Sequence, residues 1–384
     1  MSIWKIPLFD LNYGQEETDA VMEVLRSKWL TSGPKTKAFE SEFGAYLGED
    51  IRCCAVSNGT AALHIALLCA GVGPGDEVII PGLTFVADLN TVIFAGATPV
   101  LADIKSLDDW NMDPASVETC ITPATKAVIA VHYAGWPCDM AELYDLCKKN
   151  NLCLIEDAAH APGASYQGQK CGTLGDIGCF SFFSNKNLST GEGGMITSKN
   201  KAHIEKAMLL RSHGMTSMTI DRHEGRTISY DVIMPGLNYR IDEIKSALGL
   251  VQLKKLSQAN KKRIFLIKKY IDCLEHVKEI EIPWKHFPSH KKTSGHIFPV
   301  LLQDAALRIP FIEYLKKTGI QTSIHYPAMN GFSYYKNKLI HPVPKSDLVS
   351  ERMVTLPLYP DLSVDNLKLI ARTIEQFFNQ TIGG

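Results

Sequence analysis

The sequence predicts an α/β fold, with a mostly parallel central sheet in a large domain and a smaller α+β domain after it. Three observations predict it. From about Cys53 to Thr197, short apolar runs alternate with helix-like stretches. Asp157 stands two residues past one of those runs, where parallel sheets place their ligands. After Gly236 the alternation stops and a long helical pattern takes over.

The elements follow in order. Glu77–Ile80, Pro99–Ala102, Ala127–Val131, Leu152–Ile155, Cys179–Phe183 and Met195–Thr197 are short and apolar, as strands buried on both faces are. Thr60–Ala70, Phe85–Phe94 and Asp139–Asn150 have helical spacing between them. Asn238 to about Leu274 is helical for most of its length, with Gly249 as its weak point. Beyond it come a strand at Ile297–Leu302, a helix around Pro310–Thr318 and a last helix around Asp365–Phe378. The expected division is residues 1–250 for the large domain, N-terminal segment included, and 251–384 for the small one.

Composition narrows the function. The chain has 384 residues, 21% of them charged, with a formal net charge of −1. That balance implies neither disorder nor a nucleic-acid partner. The basic run Lys261–Arg263 shares its stretch with Ile264, Ile267 and Ile271, so it reads as a solvated helix face. The most apolar stretch, Ala61–Gly71, is too short to span a bilayer. Met1–Tyr13 lacks the basic start and apolar core of a signal peptide. The ten cysteines show no CxxC pair and no metal-ligand cluster, which predicts free thiols, no metal and a cytoplasmic setting.

Three segments carry chemistry. In VSNGTAAL (Val56–Leu63), Ser57 and Asn58 can cap a helix, and Gly59 lets its backbone approach a ligand. The free N–H groups of such a helix start suit a phosphate, although most stretches of this kind are ordinary caps. In LIEDAAH (Leu154–His160), a carboxylate after an apolar strand needs a positive partner such as a pyridinium nitrogen. A structural Asp capping the next turn is an equal reading of that segment alone. In FSFFSNKNLSTGEGGM (Phe180–Met195), Lys186 lies between apolar strands, where desolvation makes an amine nucleophilic. An anion cradle, an acid for a ring nitrogen and a lysine for an aldehyde, in that order, are what pyridoxal 5′-phosphate (PLP) requires. Phe85 can stack on the ring or fill the core.

The chain resembles the DegT/StrS sugar aminotransferases, within the fold-type-I (aspartate-aminotransferase-like) PLP enzymes. The resemblance covers nearly the whole length. It rests on WLTSGP (Trp29–Pro34), VSNGTAAL, GPGDEVIIP (Gly73–Pro81), EDAAH (Glu156–His160), FSFFSNKN (Phe180–Asn187), GEGG (Gly191–Gly194), RSHG (Arg211–Gly214), GLNYR (Gly236–Arg240) and IHYP (Ile324–Pro327). It implies that Lys186 holds PLP as a Schiff base and moves the proton. Asp157 pairs with the ring nitrogen, His160 touches the ring hydroxyl and Phe85 stacks. Ser57, Asn58, Gly59, Thr60 and Ser181 form the phosphate cradle. Asn238 reaches the phosphate of a neighbouring subunit, which implies a homodimer with shared active sites. Lys35, His213, Arg240, His325 and Tyr326 face the sugar, and Arg222–Arg226 either meets a nucleotide diphosphate or is a solvated loop.

The activity so implied is ping-pong transfer of an amino group from L-glutamate to a keto-sugar, nucleotide-linked, in amino-sugar biosynthesis. A cyclitol ketone is an alternative acceptor. A sugar dehydratase on the same scaffold would carry histidine in place of Lys186, and a non-catalytic sensor would not need the intact lysine, acid and cradle. Two departures from the family pattern stand out. Asn58 replaces a serine but keeps the capping ability, and Ala328–Gly331 replaces a Pro-Leu-His-like run at the sugar end.

Overall fold

A computed structural model describes residues 4–217, 225, 228–286, 288–336 and 341–382. Before the sheet come α1 (Gln15–Ser27) and α2 (Pro34–Leu47). Strand and helix then alternate: β1 (Arg52–Val56), α3 (Gly59–Cys69), β2 (Glu77–Pro81), α4 (Val86–Phe94), β3 (Thr98–Ala102), α5 (Pro114–Cys120), β4 (Thr125–Val131), α6 (Met140–Lys149) and β5 (Cys153–Asp157). A short ribbon, β6 (Ser165–Tyr166) and β7 (Gln169–Lys170), precedes β8 (Ile177–Ser181), β9 (Gly194–Ser198) and α7 (Lys201–Leu210). The seven-stranded sheet has the order β1-β9-β8-β5-β4-β2-β3, and only β9 runs against its neighbours. The mostly parallel sheet expected from the alternating pattern is therefore present.

Alternation along each strand explains the unbroken apolar runs. Cys54, Val56, Val78, Ile80, Ile129 and Ile155 face a core closed by α3, α4 and α7. Their neighbours point the other way: Ile79, Val128 and Leu154 into a core with α5 and α6, Cys53 and Ala55 into one with α2. A strand covered on both faces has no polar side to show in sequence. β8 begins and ends two residues earlier than the apolar run CFSFF suggested, so Ser181 closes it. Phe182 turns back into the core while Phe183 is exposed.

The second unit is α+β. It contains α8 (Glu243–Leu274), β10 (Ile280–Glu281), β11 (Lys291–Lys292), β12 (Phe298–Leu302), α9 (Arg308–Lys317), α10 (Pro344–Arg352), β13 (Met353–Leu356) and α11 (Val364–Ile382). β10, β12 and β13 form an antiparallel sheet whose core includes Leu266, Tyr270, Phe311, Leu367 and Phe378, with Ile6 added from the N-terminal segment. β11 instead pairs with β6 of the large unit. α8 starts at Glu243, capped by Asp242, five residues later than its sequence pattern. The residues before it make bridges instead, Val56 with Arg240 and Ser212 with Asn238. Residue 251 lies inside α8, whose Leu253 and Leu256 join the large-unit core while Leu266 to Leu274 join the small-unit core. Among the described residues no helix is long and apolar enough to cross a membrane.

Gly249 in α8 is a close-packing residue. A Cβ there would meet ring carbons of Phe39 at 2.5 to 2.8 Å. Phe39 is fully buried and cannot retreat, because its ring packs on Phe182 (5.3 Å between centroids) and Phe43 (5.9 Å). Helix propensity alone would make Gly249→Ala stabilising by about 1 kcal/mol. Overpacking reverses the sign, and chemical denaturation of Gly249→Ala is expected to show a loss of about 1–3 kcal/mol. A gain would mean that Phe39 has room to move.

Candidate active site

Five strand ends and turns open into one cavity of about 510 Å³. Parallel register aligns them, since Val131 of β4 pairs with Asp157 of β5, and Asp157 pairs with Cys179 of β8. All three line the cavity. The start of α3 enters beside them. Asn58 is its N-cap and accepts the Ala61 N–H at 2.8 Å. Gly59 follows, and a Cβ on it would lie 2.8 Å from the Cβ of Ser181. Only glycine lets the helix start and the Ser181 hydroxyl come this close, and Gly194 likewise admits the Asn58 backbone. Free helix N–H groups beside a hydroxyl make a phosphate-sized anion cradle.

The acidic pair divides its labour because strand side chains alternate. Glu156 points away from the cavity and is fully buried. Its oxygens accept N–H groups from Gly172, Leu174 and Gly175, each at 2.7 Å, and from His132 Nε2 at 2.8 Å. His132 Nδ1 accepts the Cys138 N–H, so Nε2 carries the proton. His132, Glu156 and Cys171 form the one compact trio of metal-type donors among the described residues, and hydrogen bonds already occupy the Glu156 oxygens. Asp157 faces the cavity, with Oδ1 accepting the Ala159 N–H at 2.8 Å. Burial pushes its carboxyl above the usual range, opposed by the Ala159 N–H and by the Lys186 charge.

Lys186 lines the same cavity, in a turn closed by its own N–H to Phe183 O at 2.9 Å. Burial lowers its amine to about 8, and Asp157 partly restores it. The next residue anchors the turn: Asn187 donates to Asn260 Oδ1 of α8 and to Ser294 O, and accepts from His296 Nδ1. His160 Nε2 and the Tyr326 hydroxyl, which also line the cavity, are 2.9 Å apart, and His160 Nδ1 is buried without a partner. Phe85, half exposed, lies over Tyr326 with 5.3 Å between ring centroids. His325 is held by Thr355 Oγ1 at 3.0 Å. Burial and the nearby Lys186 push His325 down to about 4 and His160 well below its ordinary value. Both imidazoles are neutral at physiological pH.

The cavity thus gathers Lys186, Asn58, Gly59, Thr60, Phe85, Asp157, His160, Ser181, His325 and Tyr326 from the sequence expectations. It does not gather the others. Ser57 donates its N–H to Tyr239 O behind the cradle. Lys35 pairs with Glu23 at 2.7 Å on the surface. Asn238 and Arg240 lie in the bridged segment beside β1, and His213 bonds Leu237 through its backbone. Arg222, His223, Glu224 and Arg226 lie outside the described residues. Thr84, Asn185 and Glu192 line the cavity and had been given no role. Asn185 and Glu192 stand inside the quoted motifs, and Thr84 directly precedes Phe85, so position in the sequence was the available signal.

PLP fits these residues: a cradle for its phosphate, a buried acid for its ring nitrogen and a desolvated amine for its aldehyde. Comparison with known proteins agrees. The DegT/DnrJ/EryC1/StrS aminotransferase family model matches residues 12–375. The spore coat polysaccharide biosynthesis protein SpsC of Bacillus subtilis is 37% identical over 360 residues, 92% of each chain. Helicobacter pylori PseC, an aminotransferase of pseudoaminic acid biosynthesis, superposes with a TM-score of 0.90 at 29% identity, covering 98% of this chain and 99% of its own. Spr1654 of Streptococcus pneumoniae, solved in PLP- and PMP-forms, does so at 29% identity with TM-scores of 0.89 and 0.91, covering 99% of this chain in both forms and 99% and 100% of its own chain. The fold-type-I frame, the PLP cofactor and the aminotransferase activity expected from the sequence all stand. The chain belongs to the DegT/DnrJ/EryC1/StrS aminotransferase family.

Proposed function

We propose that this aminotransferase moves the amino group of L-glutamate to a keto-sugar, nucleotide-linked, in amino-sugar biosynthesis. The observation that carries the reading is the Lys186 amine, desolvated and sharing one cavity with Asp157, whose charge reaches it. PseC and SpsC serve sugar-containing products by their descriptions, and that supports a sugar acceptor.

Bound in the cavity, PLP supplies an aldehyde for the amino group and a ring that withdraws electrons from the adjacent carbon. The chain's own residues do the rest. Asp157 stays ionised against the ring nitrogen. The α3 N-terminus and Ser181 hold the phosphate. Lys186, neutral in an appreciable fraction near pH 8, takes the proton from the donor's α-carbon and later delivers one to the sugar carbon. His160, His325 and Tyr326 are neutral hydrogen-bonding groups suited to sugar hydroxyls. No arginine lines the cavity among the described residues.

We place two subunits in the working enzyme, with Asn238 of each reaching the other's phosphate cradle. Support comes from the neighbouring segment, where Ile228, Tyr230, Val232 and Ile233 are all more than half exposed. Such side chains are covered in a stable assembly. All ten cysteines are unpaired, which supports a reducing, cytoplasmic setting.

Three outcomes are expected. Adding L-glutamate alone to the holoenzyme changes the visible band of the bound cofactor, and Lys186→Ala slows that change by roughly 10²–10⁴-fold. A band indifferent to glutamate would remove glutamate as the donor. In the apo-protein, the rate of borohydride trapping of PLP on Lys186 rises with pH and levels off above about 8, well below the ordinary lysine value of about 10.4. Only the neutral amine attacks, and Asp157→Asn moves that midpoint lower because it removes the charge that favours the ammonium form. Sedimentation of the wild type returns a dimer, and Asn238→Asp, which sets a negative charge facing the partner's phosphate, weakens PLP affinity about tenfold. A monomer, or unchanged affinity, would exclude shared sites.

A further inference from the structure

α4 is apolar along most of its length, yet Asp88 stands in its first turn and is fully buried. It stands directly behind the cavity wall, since its neighbour Ala87 and its hydrogen-bond partner Thr84 both line the cavity. Its surroundings do not suit an anion. Oδ2 lies 2.5 Å from Thr84 Oγ1, and Oδ1 has no partner. Asp157 on β5, Cys179 on β8 and the Tyr326 hydroxyl are the titratable groups whose fields couple to it. Among the described residues no salt bridge reaches it. Burial, and then the Asp157 charge, push the Asp88 carboxyl well above the usual carboxylate range. An unpartnered carbonyl oxygen is far cheaper to bury than an unpartnered anionic one.

The protonation of Asp88 decides what Thr84 offers. Thr84 is itself buried and lines the cavity. A hydroxyl has one hydrogen and two lone pairs. With Asp88 ionised, the Thr84 hydrogen is committed to Asp88 and the cavity meets only a lone pair. With the proton on Asp88 Oδ2, the acid donates to Thr84 Oγ1 and the Thr84 hydrogen is free to turn inward. We infer that Asp88 donates a proton-bearing hydrogen bond to Thr84, so that Thr84 presents its hydroxyl hydrogen to an anionic oxygen of the bound ligand. Thr84 is a binding residue and Asp88 its positioning residue. The anionic oxygen belongs to the cofactor or to the amino-acid donor. This rests on the cavity being the PLP site.

The test uses four single variants, each checked for wild-type thermal unfolding. Two quantities are read: PLP affinity of the apo-protein, and the KM for L-glutamate of the holoenzyme. Thr84→Val keeps the shape and removes the hydroxyl, so one of the two worsens by about tenfold or more. A change in PLP affinity assigns the oxygen to the cofactor, and a change in KM alone assigns it to the donor. Thr84→Ser restores wild-type values. Asp88→Asn, whose amide N–H donates to Thr84 as the acid does, stays within about twofold, while Asp88→Leu, which leaves the hydroxyl in place but removes the group that orients it, loses less than Thr84→Val. Infrared difference spectra of apo wild type against Asp88→Asn show the C=O stretch of a protonated carboxyl. That readout needs no cofactor. If Thr84→Val leaves both quantities unchanged, if Asp88→Asn loses as much as Thr84→Val, or if the acid band is missing, the inference is overturned. Failure of the wild type to bind PLP would overturn the site assignment itself, separately from the infrared result.

Discussion

The arrangement turns on taking one amine out of water. Desolvation lowers Lys186 to about 8, where it can serve as both base and nucleophile, and a cation placed there is destabilised. The charge of Asp157 in the same cavity limits that cost without removing it. Asp157 is the one acid whose charge is felt at the amine, although Glu192 also lines the cavity, and a second acid as near would have held the amine as an ammonium ion. The neutral imidazoles of His160 and His325 fit the same constraint, since a charged ring beside Lys186 would raise the cost of the lysine's own charge. The chemistry asks for very little charge in this cavity, and the side chains around it supply hydrogen-bonding capacity instead.

The sheet delivers that cavity through register. Because β4, β5 and β8 run in parallel, Val131, Asp157 and Cys179 stand at one level, β8 runs on to Ser181, and the side chains there converge on the cavity. The step from β5 into the loop matters most. Consecutive residues on a strand face opposite ways, so Glu156 goes to the protein interior and Asp157 to the cavity. Glu156 then organises the turn at 172–175 with three backbone N–H groups, which steadies the entry to β8 and so the position of Ser181.

Much of this was readable beforehand, for physical reasons. Strands buried on both faces leave compact apolar runs, so β2 to β5, β8 and β9 were visible within about two residues. That Asn58, Gly59, Thr60, Ser181 and Lys186 would meet in one cavity was legible because motif residue types are restricted by the chemistry they suit, while Ser57, from the same motif, stays outside it. The sequence pattern does not mark α1 and α2, and it begins α8 five residues before Glu243, because Asn238–Arg240 is polar and helix-compatible while its actual partners, Val56 and Ser212, are far away in sequence. Long-range pairing leaves no local trace. The meaning of Gly249 was hidden likewise: a glycine in a helix reads as weakness until Phe39 is seen against it. Asp88 and Thr84 were missed because a lone acid in an apolar helix says only that something must compensate it.

α8 is shared between two cores, and that has a mechanical consequence. Asn260 on this helix grips the Lys186 turn through Asn187, and three residues further Arg263 grips the His296 and Leu358 carbonyls of the small unit. The His325–Tyr326 segment hangs from the same unit, through the pairing of Ser323 with Thr355. The two jaws of the cavity are therefore bolted to one beam. The spacing between them is thus set by where Asn260 and Arg263 fall along α8, and the fit of anything between the jaws is left to the side chains they carry.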